Sequence, residues 1–457
     1  MKKLLLGSTA LVVGGLMAAP AMAADPIKLG VGGYYTFYAI AGGIDSTYAY
    51  DGTSTQYKGL SFIQEGEIHF IGQTKLDNGT TVGLTVELEG WNPSAATANS
   101  QIDEAFLFAF GDWGRVEFGS RDPATYRMYY GTPSALIGFG AVQHNTNFSW
   151  ANSSVIANNK AWFHATTQTI AGQVQDALGI NYFTPRFQGL QIGAGYRPKV
   201  NFVNQGGASL AAYNVGPGLG AGICGYTNAT TSNNCPTNDY SYQDLFDVGA
   251  NYLNKFGDVT VAAYGAFMYS SFVPGNNPFQ ASANQASGVN LTSWKQWVAG
   301  LQFGFKGFTV GGSVGYDNNG LGSNYFTGVD NDTRFATAGI MYETGPWQLS
   351  AGWSGSWNTN GNGSMSVQSI AVGSNAQTGV AATGVPGVNS NAFAGPNTPG
   401  SLRFGQESVN KFEIGANYAL GPGVKITGGG LYYIGQGPSN AVAGNSWGLL
   451  LGMDLRF

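Results

Sequence analysis

Charge is what this chain has least of. Asp, Glu, Lys and Arg make up 10% of its 457 residues, against roughly 25% in soluble domains. Long apolar runs are also missing: after the first seventeen residues none is long enough for a membrane-spanning helix. There are two cysteines, Cys224 and Cys235, too few for a disulfide scaffold and without the CxxC context of a metal site. The three histidines, His69, His144 and His164, are far apart and lack metal-ligand spacing. No segment repeats at a fixed period, which excludes a propeller or a β-helix. Basic excess is absent as well. A formal charge of −5 argues against a nucleic-acid partner.

What remains is rich in glycine, with 71 residues, about twice the usual share, and in aromatics, at 13%. Sparse charge, many aromatics and no long apolar segment fit a β-barrel in lipid, where apolar and polar residues alternate along each strand. Residues 1–23 read as a cleaved export signal. Lys2 and Lys3 open it, Leu4 to Met17 form a short apolar stretch, and Ala21-Met22-Ala23 has the small-x-small form of a cleavage site. Residues 24–457 are then one domain. In an oxidising compartment Cys224 and Cys235 are expected to form a disulfide across a short Asn/Thr-rich loop.

The clearest strand is the last. Trp447, Leu449, Leu451, Met453, Leu455 and Phe457 occupy one register, and Gly448, Leu450, Gly452, Asp454 and Arg456 the other. Successive side chains of a strand point to opposite faces, so one face is wholly apolar with an aromatic at each end. Those ends match the two membrane–water interfaces. Upstream, strand, tight turn, strand and long polar loop alternate. Phe62, Ile68 and Phe70 oppose Glu65, Glu67 and His69. Asp77-Asn78-Gly79 turns the chain, and Val82, Leu84, Val86 and Leu88 oppose Thr81, Thr85, Glu87 and Glu89. In Ile102 to Phe110 the facing is open, since Phe106, Phe108 and Phe110 share a register with Glu104. In the next strand Val116 and Phe118 face lipid, and Arg115 and Glu117 face water. Ser120 to Gln175 then shows no sustained period, and a loop of that length is functional or disordered. Its aromatics argue against disorder. The count reaches about sixteen antiparallel strands, or eighteen if Met365 to Val372 hides another hairpin. Even strand number with short turns alternating with long loops is the pattern of an outer-membrane barrel.

Several stretches resemble the trimeric porins of Gram-negative bacteria, in the form found among alphaproteobacteria. They are Ile102-Asp103-Glu104-Ala105 through Gly114-Arg115-Val116-Glu117-Phe118-Gly119; Asn181-Tyr182-Phe183-Thr184-Pro185-Arg186-Phe187-Gln188-Gly189-Leu190; Tyr342-Glu343-Thr344-Gly345-Pro346-Trp347; and the terminal Phe457. The resemblance implies a sixteen-stranded water-filled barrel in the outer membrane, assembled as a homotrimer. It implies that the loop from Ser120 to Gln175 folds inward and constricts the pore, and that Phe457 is read by the barrel-insertion machinery. One departure stands out. Such porins often carry several acids on the inward loop, whereas this loop has Asp122, with Asp176 just beyond it, and the basic residues Arg121, Arg127 and Lys160.

Charges in or beside the wet registers are Glu65, Glu67, Glu87, Glu89, Asp103, Arg115, Glu117, Arg197, Lys411, Glu413, Lys425, Asp454 and Arg456. Charge sets selectivity where a pore is narrow. The early strands and the start of the loop single out Glu65, Glu67, Arg115, Glu117, Arg121, Asp122 and Arg127. Two enzyme-like motifs lack their context: Gly220 to Gly225 matches GxGxxG within a loop, and Gly311 to Gly315 matches GxSxG inside a strand. No cofactor is expected. The reading is a channel for passive diffusion of ions and small hydrophilic solutes, with a weak cation preference. The alternatives are a sugar-selective channel, in which loop aromatics stack on sugar faces, and an outer-membrane barrel enzyme.

Overall fold

The computed structural model describes residues 26–46, 56–90, 102–136, 177–199, 241–273, 292–318, 332–360, 405–436 and 443–457. The export signal, both cysteines, the GxGxxG match, the candidate extra hairpin at 365–372, and residues 137–175 of the inward loop with Asp176 lie outside them.

Sixteen strands follow in order: β1 (Lys28–Ser46), β2 (Gln56–Lys75), β3 (Thr81–Glu89), β4 (Ile102–Gly111), β5 (Gly114–Ser120), β6 (Leu178–Phe183), β7 (Leu190–Lys199), β8 (Ser241–Phe256), β9 (Val259–Val273), β10 (Trp294–Phe305), β11 (Phe308–Asp317), β12 (Thr333–Thr344), β13 (Trp347–Asn360), β14 (Gly405–Gly421), β15 (Val424–Gln436) and β16 (Ala443–Arg456). A single helical turn, α1 (Ala124–Arg127), falls between β5 and β6. Each strand pairs antiparallel with its sequence neighbours, and β1 pairs with β16, closing a barrel. The closing seam runs from Tyr34 opposite Arg456 to Ser46 opposite Gly444. Beyond it, Gly33 and Phe457 exchange backbone hydrogen bonds of 3.0 and 3.1 Å. Closure leaves no strand edge facing lipid, where an unpaired N–H or C=O costs several kcal/mol.

The tight turns carry the expected residues. Gly79 has φ of 83°, and the Asn78 side chain accepts the Thr80 N–H at 3.0 Å. The other sequence-predicted turns are likewise short, and the first two strands run longer than their apolar alternation, past Ile40 and before Phe62.

The alternation resolves as expected on β16. Leu449, Leu451, Met453, Leu455 and Phe457 are exposed on the outer face, while Leu450 points inward and is buried. Aromatic rings gather on the outer face near the short turns. Phe308 stacks on Tyr342 with centroids 4.3 Å apart, and Trp347 meets Tyr418 at 4.7 Å. Further along β13, Trp353 and Trp357 pair at 6.1 Å. Two aromatic levels flanking an apolar band match the interfaces of a bilayer.

The open question on β4 has an answer. Glu104, Phe106 and Phe108 face the interior, and Leu107 faces out. The periodicity is broken by a β-bulge: Val86 pairs with Ala105 but Leu88 with Ile102, so Asp103 and Glu104 together stand against the single residue Glu87. The phenylalanines tolerate the wet side because guanidiniums cover them: Arg121 lies 4.6 Å from the Phe106 ring centre and Arg115 4.6 Å from that of Phe108.

Leu451 sits near mid-strand, opposite Ala39 and Gly428. Substituting Leu451→Arg is expected to cost about 2–4 kcal/mol of folding stability in lipid vesicles, measured by denaturant titration. An unchanged titration would place this face away from lipid.

Candidate functional site

After Ser120 the chain turns into the barrel rather than away from it. Residues 121–136 run along the inner wall as a belt, held to one strand after another. At its start the Asn181 amide donates to the Asp122 carbonyl at 2.8 Å, and Arg197 donates to the Arg121 carbonyl at 2.8 Å. The Thr125 N–H donates to Asp247 at 2.9 Å, and Tyr264 donates to the Thr125 carbonyl at 2.6 Å. Asn251 holds the Met128 carbonyl at 3.0 Å, and Gln302 holds that of Gly131 at 2.7 Å. Thr132 meets Thr337 at 2.6 Å, Ser134 donates to Glu413, and Ser350 and Asn417 take the Ala135 N–H and carbonyl at 2.9 and 2.7 Å. In sixteen residues the belt passes from β6 to β14, and nearly every anchor is a side chain on the inner register of the wall. Irregular backbone at membrane depth is stable when its polar groups are met by protein in this way.

The wall makes room with glycine. A Cβ on Gly300 would collide with the Tyr130 carbonyl, and one on Gly311 would lie 2.7 Å from the Gly131 carbonyl oxygen. Gly339 faces Thr132, and Gly415 and Gly429 face the Leu136 side chain, at 2.6 and 2.9 Å. Close backbone approach is what glycine permits in a strand. Buried Tyr126, and Tyr129 edge-on to Tyr264 at 5.5 Å, press the belt against the wall.

The charges gather at the belt's start. All seven residues that the sequence singles out face the interior: Glu65 and Glu67 on β2, Arg115 and Glu117 on β5, Arg121, Asp122 and Arg127 on the belt. Glu117 is buried and accepts from Arg115 at 2.6 Å and from Arg127. Arg121 pairs with Glu104 and, at 3.1 Å, with Glu87. Glu65 and Glu67 stand beside this group on β2, joined by the Tyr34 hydroxyl, which donates to them at 3.2 and 2.9 Å. Burial pushes the Asp122 carboxyl up to about 6, against the pull of Arg121, Arg127 and Arg197.

Sequence reasoning passed over Glu104, left open by the ambiguity of β4, and Asp247, which holds buried Arg197 at 3.1 Å. It also passed over the glycines facing the belt. With these included, the cluster holds, among the described residues, eight carboxylates (Glu65, Glu67, Glu87, Glu89, Glu104, Glu117, Asp122, Asp247) and four guanidiniums (Arg115, Arg121, Arg127, Arg197). Their ion pairs tie the belt's Arg121 and Arg127 to β3, β4 and β5, link Arg115 to Glu117 within β5, and join β7 to β8 through Arg197 and Asp247. Across the lumen the belt's anchors are neutral apart from Glu413. The GxSxG serine, Ser313, bonds to Tyr129 at 2.8 Å and Thr337 at 2.7 Å, and neither is a base that would activate it.

A sequence model of Gram-negative porins matches residues 7–433. The chain belongs to the Gram-negative porin family. No curated protein matches it. Solved structures share the porin's fold at low identity. An outer-membrane channel of Acinetobacter baumannii, DcaP, is 11% identical with a TM-score of 0.51, covering 94% of this chain and 98% of that one. An anion-selective porin from Comamonas acidovorans is 13% identical with a TM-score of 0.50, covering 94% and 100%. The porin is thus an outer-membrane channel for passive diffusion.

Two substitutions probe the site. The three atoms nearest a Cβ on Gly300 all belong to the belt, so Gly300→Val should lift the belt and raise single-channel conductance while the barrel stays folded; unchanged conductance would mean the belt does not narrow the path. Glu117→Gln removes the shared partner of two arginines and should move the reversal potential in a salt gradient toward anions. A shift toward cations would contradict this arrangement.

Proposed function

We propose that this porin narrows at its belt and passes small hydrophilic solutes with a weak preference for cations, set by Glu65, Glu67, Arg115, Glu117, Arg121, Asp122 and Arg127 and their neighbours. The observation that carries the reading is the imbalance of the cluster: carboxylates outnumber guanidiniums two to one beside the belt. Fixed charge of one sign raises the local concentration of counter-ions in a confined path. The reading extends to a homotrimer, an export signal at residues 1–23, a Cys224–Cys235 disulfide and recognition of Phe457 by the insertion machinery. Phe457 supports the last point by its exposure at the barrel's end. A sugar-selective channel fits less well, because Tyr126 and Tyr129 are occupied in packing the belt to the wall.

In planar bilayers, the mature chain should insert in steps of three equal conductances, with a reversal potential showing modest cation preference. Anion preference, or steps of one conductance only, would overturn the corresponding part of the reading.

A further inference from the structure

One group of lumen side chains has the chemistry of a metal site. Glu67 and His69 stand on β2, and Glu87 stands directly opposite His69 on β3. Residues two apart on one strand share a face, and directly opposed residues bring their Cβ atoms to about 5 Å. One ligand atom from each of the three lies within 4.8 Å of the others. We propose that Glu67, His69 and Glu87 bind a divalent first-row transition-metal ion, zinc foremost, on the channel wall.

Three features argue for it. First, the donor set is mixed. Carboxylates alone suit calcium or magnesium, whereas an imidazole with carboxylates suits zinc and its neighbours. Second, the ligands are oriented from outside. Tyr34 donates to Oε1 of Glu67 at 2.9 Å, leaving Oε2 directed at His69 Nε2, 2.8 Å away. Arg121 holds Glu87 through Oε1 at 3.1 Å and is itself paired with Glu104. Such outer partners fix ligand geometry in metal sites. Third, the group is reachable. The His69 and Glu67 side chains keep 27% and 14% of their surface open toward the lumen, so an ion arrives from the diffusing solution and a water completes its shell. Glu89, opposite Glu67, adds negative charge that favours a divalent cation and offsets the nearby Arg121. Binding replaces the His69–Glu67 contact with two metal bonds and adds two positive charges to the acidic side of the path.

The test uses the full-length mature porin, purified in detergent, stripped with EDTA and titrated with zinc against a chromophoric zinc indicator at pH 7. One zinc per chain with a micromolar dissociation constant is expected. His69→Ala and Glu87→Gln, each checked for heat-modifiable migration of the folded barrel, should both raise that constant by about tenfold or more. In bilayers, zinc should move the reversal potential toward anions, EDTA should restore it, and magnesium at equal concentration should leave it unmoved. Absence of stoichiometric zinc overturns the proposal. So does binding that survives His69→Ala, which would put the metal on other residues, and so does a magnesium effect equal to that of zinc.

Discussion

The structure depends on one requirement: in hydrocarbon, every backbone donor and acceptor must find its partner within the protein. The seam between β1 and β16 meets it. Phe457 and Gly33 exchange hydrogen bonds at the seam's end, so the terminal residue is part of the closure. Once the cylinder is closed, strand alternation follows its curvature, with apolar side chains meeting lipid and polar ones the water inside. Glycine and small polar residues on the inner register then serve a second purpose, because they are the surface on which the belt lies.

The belt is the same requirement applied away from the sheet. A backbone segment without a ladder of its own is satisfied one group at a time by Asn251, Gln302, Ser350 and Asn417. Close contact needs both anchors and clearance, and the wall glycines supply the clearance. Loss of either frees the segment, since each anchor is a single bond worth about 1 kcal/mol net.

Much of this was legible in the residues. β16 could be read because its two registers differ in chemistry at almost every position. The short turns could be read because Asn78-Gly79 and Gly345-Pro346 carry their backbone preferences in their side chains. The charged cluster was half legible: Glu65 and Arg115 sit in regular wet registers, but Glu104 shares a face with Phe106 and Phe108. A periodicity argument treats phenylalanine as lipid-facing. Here arginines stack on those rings, and only the fold brings Arg121 from another segment to do it. The belt's glycines were illegible for a different reason. Among 71 glycines, nothing local separates Gly300 or Gly339, which face the belt, from those that merely sit in strands.

The one-sided placement of the ion pairs has a consequence for how ions travel. Salt screens charge within about 8 Å at physiological strength. The acidic cluster therefore acts most strongly on what passes close to it, while beside residues 128–136 the belt's anchors are neutral apart from Glu413. The porin's discrimination between ions is therefore a property of the medium as much as of the wall.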